Sequence, residues 1–273
     1  MKSGYIWIAV LFFSATSSVS LRGAFTARSC NVRPVYEPQI MNGNLEEWTN
    51  NKTPVGWSTA NNTFVTTTTR ANGNPGYAAQ IKTTSTLGKI ASGALFLGDF
   101  NRRNNILAGL TDPISLTFFG LPFKTSGKIL GIQFDAVYTP GKEFISGNDR
   151  ELGFCSIELL KPKPGREKEE FVYHGNTSAG VYHKDNMAYP VAQKRILIGN
   201  SEGTAWNGYK ITVVSNTTWT TVQMLFDYPN GEMPDFTHFH VVFASSAQGD
   251  TFRGVKGSTL TLDNIRIIYE EEK

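Results

Sequence analysis

The chain has 273 residues, with 26 basic against 23 acidic side chains, a net charge of +3, two cysteines and four histidines. The basic residues form no clustered stripe, which argues against a nucleic-acid partner, and two cysteines supply neither a disulfide framework nor a zinc site. No apolar run is long enough to cross a bilayer as a helix.

Residues 1–20 read as a signal peptide. Lys2 provides the positive start, residues 5–13 a short apolar run, and Ser18-Val19-Ser20 a small-x-small cleavage site. The mature chain is therefore expected to be exported, to the periplasm, the outer-membrane surface or the medium. Ser29-Cys30 has the final pair of a lipid-attachment sequence, so Cys30 is a candidate lipid anchor, although Arg28 is an awkward neighbour and the apolar run ends far upstream. Residues 21–40 look like an irregular lead-in, and residues 41–273 read as one domain.

That domain opens with Asn42-Gly43-Asn44-Leu45-Glu46-Glu47-Trp48, followed by Pro54-Val55-Gly56-Trp57. Here Leu45 points into a core and Glu46 away from it. Segments of β character then recur between turn signals, at 64–69, 77–82, 128–138, 152–161, 191–198, 209–214 and 219–228. In 128–138 one face carries Leu130, Ile132, Phe134, Ala136 and Tyr138. In 219–228 it carries Val222, Met224, Phe226 and Tyr228, with Trp219 placed toward the core. Phe239, Val241 and Phe243 oppose His238 and His240. Helical periodicity appears over no useful window. Many short strands separated by Gly, Pro, Asn and Asp predict an all-β, two-sheet β-sandwich of jelly-roll type.

The last strand is the most informative. Its apolar face runs through Leu260 and Leu262, then resumes one residue out of phase at Ile265, Ile267 and Tyr269. A period-2 pattern that slips by one residue needs a bulge, here at Asp263 and Asn264. In a sandwich the first and last strands commonly lie side by side, which would bring Glu46 toward Asp263. Two such carboxylates with loop carbonyls are the hard oxygen ligands of a structural calcium ion, so Glu46 and Asp263 are candidate metal ligands.

Other motifs point less far. Gly199-Asn200-Ser201-Glu202-Gly203 matches the G-x-S-x-G pattern, but Thr204 to Gly208 begins no helix, so a turn is expected. His238 and His240 read as part of a polar sheet face. Cys155 reads as a buried free thiol on a strand. The mixed-charge run 161–170 reads as a solvated hairpin loop. Trp206 with Tyr209 sits among Gly and Asn in a loop. An exposed aromatic plate beside polar groups suits the C–H face of a sugar ring and its hydroxyls. Asn61, after Trp57, with Asp250 and Arg253 on the glycine-rich loop, are the accompanying polar candidates.

Five blocks carry a family resemblance: NGNLEEW…PVGW at 42–57, SGALFLGDF at 92–100, FFGLPF at 118–123, LGIQFDAVYTPG at 130–141, and FASSAQGDTFRGVKGSTLTLDNIRIIYE at the end. In this order they resemble the putative carbohydrate metabolism domain, from about residue 42 to 270. The resemblance implies a jelly roll similar to carbohydrate-binding modules (galactose-binding-domain-like), carried on exported and surface proteins. It supports Glu46 and Asp263 as calcium ligands and brings no agreed catalytic pair. This chain departs from the pattern in having Leu45 where Phe is usual and Asn264 where a second acid is common. The expectation is an exported protein that holds a polysaccharide or oligosaccharide without cleaving it, in support of polysaccharide utilisation. The alternatives are a glycoside hydrolase, which requires a carboxyl pair, and a structural or adhesion surface protein, which requires no groove.

Overall fold

Alternating apolar residues can bury one face of a strand only against a second sheet, and that pairing organises this molecule. The computed structural model describes residues 37–100, 117–142, 150–166, 187–205 and 207–271. The signal sequence, Cys30 and Trp206 lie outside the described residues.

One sheet runs in the order Ile211–Val213, Ala188–Gly199, Gly153–Pro162, His238–Ala244, Ala94–Phe96, Ser58–Thr59, with Leu121–Pro122 also paired to His238–Ala244. All its pairings are antiparallel except that of Ile211–Val213 with Ala188–Gly199. The facing sheet runs Thr220–Leu225, Ile129–Thr139, Thr259–Tyr269, Tyr77–Lys82, Thr68–Asn72, antiparallel throughout. Among the described residues the helical structure is a single 3-10 turn, Gly249–Thr251. The protein is a two-sheet β-sandwich.

The faces follow the alternation. Phe239, Val241 and Phe243 meet Ile132, Phe134, Ala136 and Tyr138 in one buried cluster, with Leu45 and Trp57 closing it. Cys155 is buried and unpaired, and burial pushes its thiol well above the ordinary range. Two details differ from the sequence pattern. Ile129, not Leu130, joins the core, because the pairing with the last strand shifts register between Ile129 and Gly131. Gly131 permits this: a Cβ there would run into the Met224 carbonyl. Trp219 is only half-buried, since its strand starts at Thr220, beyond the deepest part of the core.

The predicted slip in the last strand is present. Gln133 pairs with Arg266 and Asp135 with Asp263, so two residues, Asn264 and Ile265, oppose one, Phe134, and Asn264 takes a left-handed φ of 51°. The two ends of the domain lie together. Ile267 N–H donates to Gln39 Oε1 (2.8 Å), Ile265 N–H to the Gly43 carbonyl (2.7 Å), and the Tyr269 hydroxyl to the Pro38 carbonyl (2.6 Å). The charge run at 161–170 starts at the end of a strand whose Pro162 pairs with Ala188, so it enters a hairpin connection.

Candidate functional site

The bulge meets the turn at residues 73–77. Asp263, fully buried, accepts the Asn74 N–H at Oδ2 (2.6 Å) and the Asn264 N–H at Oδ1 (2.7 Å). Glu46 Oε1 accepts the Tyr77 N–H (3.0 Å). Asp135, opposite Asp263 in register, accepts the Thr221 hydroxyl (2.6 Å) and the side-chain amides of Asn74 (3.3 Å) and Asn264 (3.0 Å). Burial pushes the Asp263 carboxyl above its usual range. The two N–H bonds offset part of this, and repulsion from Glu46 and Asp135 adds to it.

Glu46 and Asp263 are therefore neighbours, but through the turn at 73–77: the first strand, Trp48–Asn50, pairs with Thr53–Pro54 and not with the last strand. Calcium needs six to eight oxygens turned inward, whereas the groups facing these carboxylates are N–H donors. Among the described residues no set of three or more His, Cys, Asp or Glu is placed to hold a metal ion. The hydrogen bonds that Glu46 and Asp263 accept come from backbone N–H groups. The clasp closes the domain through amide donors, and thermal unfolding should coincide in excess EDTA and in excess calcium. A lower midpoint in EDTA would contradict this.

A second gathering forms where four strands end. Ile129–Thr139 leads into Pro140, Gly141 and Lys142, and Arg150, Glu151 and Leu152 lead into Gly153–Pro162. Ala188–Gly199 runs out through Asn200 and Ser201, and Ile211 opens the next strand. These residues line a cavity of about 210 Å³. Glu151 is 5% exposed. Its Oε1 accepts the Ser246 hydroxyl, and its Oε2 has no partner among the described residues. Burial raises the Glu151 carboxyl above its ordinary value, partly offset by Ser246, Ser258 and the Val255 N–H. Ser246 is held by Thr83 (2.5 Å), which also binds Ser245 (2.7 Å), so the Ser245-Ser246 pair of the terminal block positions the acid.

A carboxyl whose folded pKa is raised favours folding while protonated, and that contribution is lost as pH rises from its unfolded value through the folded one. Glu151→Gln is therefore expected to match the natural protein below pH 4.5 and to exceed it at neutral pH, by an amount on the order of 1 kcal/mol. Urea unfolding at several pH values checks the slope, and an advantage that grows toward acid refutes the assignment.

The model of the family described as the putative carbohydrate metabolism domain matches residues 33–268. The chain belongs to that family. Similar solved structures include a putative glycoside hydrolase from Bacteroides vulgatus ATCC 8482, at 23% identity and TM-score 0.56, covering 75% of this chain and 78% of that one. Another is a putative glycoside hydrolase from Bacteroides thetaiotaomicron VPI-5482, at 22% identity and TM-score 0.58, covering 81% of this chain and 65% of that one. These likenesses bear on the fold. Among curated proteins, none matches the chain.

In this carbohydrate metabolism domain the other candidate residues fall in separate places. Tyr209 is 58% exposed, on the loop between the pocket residues Ser201 and Ile211, where Thr204 bridges Lys210. The G-x-S-x-G segment leaves the end of a strand at Gly199 as a bend and begins no helix among the described residues. Asn61 is a loop staple: its amide donates to the Lys52 and Thr68 carbonyls and accepts the Thr67 and Thr68 N–H groups. That leaves it little capacity for a ligand. Asp250 lies in the 3-10 turn, and the Arg253 N–H returns to the Gln248 carbonyl (3.1 Å); neither lines the pocket.

Sequence reasoning missed Arg150, Glu151 and Asp135. Glu151 and Arg150 precede a strand as ordinary loop charges, and only strand order brings them beside Asn200. Asp135 carried one signal, its place on the polar face across from the bulge. The expected polar sheet face is present but buried. His240 Nδ1 meets Glu158 Oε2 (3.2 Å) and its ring packs on Phe119 (centroids 4.5 Å apart), while His238 Nδ1 meets the Thr237 hydroxyl (2.7 Å).

Proposed function

We propose that this protein is an exported glycan-binding protein of polysaccharide utilisation, which seats sugar at the strand-end pocket beneath the Tyr209 loop. The observation that carries the reading is the small cavity lined by Arg150, Glu151, Asn200 and Ser201; the exposed Tyr209 is not in that lining but lies in the chain between two of its residues, Ser201 and Ile211. Aromatic rings stack on sugar C–H faces and the polar groups take hydroxyls, the combination a sugar site needs. Family membership supports a carbohydrate ligand, and the signal-like residues 1–20 support export. Trp206, on the same loop, would add a second ring.

Binding is favoured over cleavage by the lining. Glycoside hydrolysis in its usual forms uses two carboxyl groups flanking the bond, and Glu151 is the one acid among the described residues that line this cavity. Affinity electrophoresis through gels containing soluble polysaccharides tests the proposal. Retardation by at least one polymer is expected, with Tyr209→Ala weakening it roughly two- to tenfold. No retardation in any gel, or reducing ends released from the polymer, overturns it.

A further inference from the structure

We propose that the strand-end pocket takes a single uronic-acid residue, with Arg150 and Lys142 receiving the sugar carboxylate. This rests on the reading of the pocket as the glycan site and names the class of sugar.

Arg150 lies in the lining and is tethered at one nitrogen. Its Nη1 donates to the Ser201 hydroxyl oxygen (3.2 Å) and to the Glu202 carbonyl (2.9 Å), which fixes the guanidinium plane. Its Nε and Nη2 make no hydrogen bond among the described residues, so one edge of the fork is left for a carboxylate. A planar guanidinium held in this way matches a carboxylate with two parallel bonds and loses little freedom in doing so. Lys142 is exposed on the same lining and has no ion pair among the described residues. It supplies a second positive charge without fixed geometry.

The opposing charges are few. Glu151 is the acid in the lining, and burial favours its neutral form. Its carboxyl is buried behind the lining, with Oε1 held by the Ser246 hydroxyl. Glu202 gives its carbonyl to Arg150 while its own residue is exposed. Among the described lining residues the positive charges are thus those of Arg150 and Lys142. Asn200 and Ser201 remain for the ring hydroxyls. The cavity, about 210 Å³, is smaller than the roughly 300–1,000 Å³ of drug-sized sites, which suits one ring and not a long chain laid in a groove.

The test uses the full mature chain in affinity electrophoresis with polygalacturonate, alginate, fully methyl-esterified polygalacturonate and a neutral glucan. Arg150→Gln, Lys142→Gln and the control Lys124→Gln, on a residue outside the pocket, are run beside it, their folding checked by thermal unfolding. Retention by a uronate polymer, loss on esterification, and at least about a tenfold weakening by Arg150→Gln with Lys124→Gln unchanged support the proposal. Equal retention by the neutral glucan and the uronates overturns the uronate assignment and leaves glycan binding standing. Equal weakening by Lys124→Gln overturns it as diffuse charge attraction. Retention by no polymer overturns both readings.

Discussion

Phe243→Ala is expected to lower unfolding stability by about 3–5 kcal/mol, the usual range for emptying a fully buried aromatic site. Phe243 has no exposed surface. Its ring stands edge-on to Phe134 of the facing sheet, centroids 4.9 Å apart, and lies 6.5 Å from Trp57. It is the contact that ties the His238–Ala244 strand to Ile129–Thr139 across the sandwich. Aromatic pairs of this geometry add about 0.5–1.5 kcal/mol beyond the area they bury. In a chain of this size the loss shifts the thermal midpoint by roughly 6–20 °C. Urea denaturation gives the direct measure, and the slope with denaturant should stay constant if the cavity alone is responsible. A loss below about 1 kcal/mol would mean that the two sheets are not held as described.

Glu158→Ala should be comparably damaging, for an electrostatic reason. Glu158 is almost wholly buried, yet on the sheet face that looks away from the core between the sheets. Its Oε1 accepts Gln193, the Arg195 Nη2 (3.3 Å) and the Ser156 hydroxyl (3.4 Å), and its Oε2 meets His240 Nδ1 (3.2 Å). Removing the acceptor takes from all of these donors the bond they make to it, and the Arg195 side chain, 17% exposed, loses its charge partner Glu158. Breaking one partner of a buried charged set costs about 3–5 kcal/mol, well above the value of an exposed pair. Glu158→Gln keeps the shape and one acceptor oxygen but turns an NH2 toward other donors, so it should fall between. An alanine variant as stable as the natural protein would show that the network contributes nothing net.

The clasp and the pocket were legible to different degrees. Leu260, Leu262, Ile265 and Ile267 announce the bulge without any knowledge of neighbours, because side-chain direction alternates with every residue along a strand. The same local rule placed Phe239, Val241 and Phe243 inside. It could not say that the turn at 73–77 would direct N–H groups toward Glu46 and Asp263. The orientation of a backbone turn depends on how its flanking strands pair. Nor could it say that the second face of the Gly153–Pro162 strand is covered, since alternation of polar and apolar residues there, with Ser156, Glu158, His238 and His240, is what a solvated face would show.

The sequence by itself determined the class of fold, the faces of the long strands, the position of the bulge and the family. All of these are properties of residues a few positions apart or of motif order. The tertiary structure decided what those strands bring together: Arg150 and Glu151 beside Asn200 and Ser201, Asp135 behind Asp263, and Asn61 as a staple with its amide already engaged. Strand order is set by the burial of whole faces summed over both sheets, so contacts between distant strand ends are a consequence of the packed fold and leave no periodic trace in the chain.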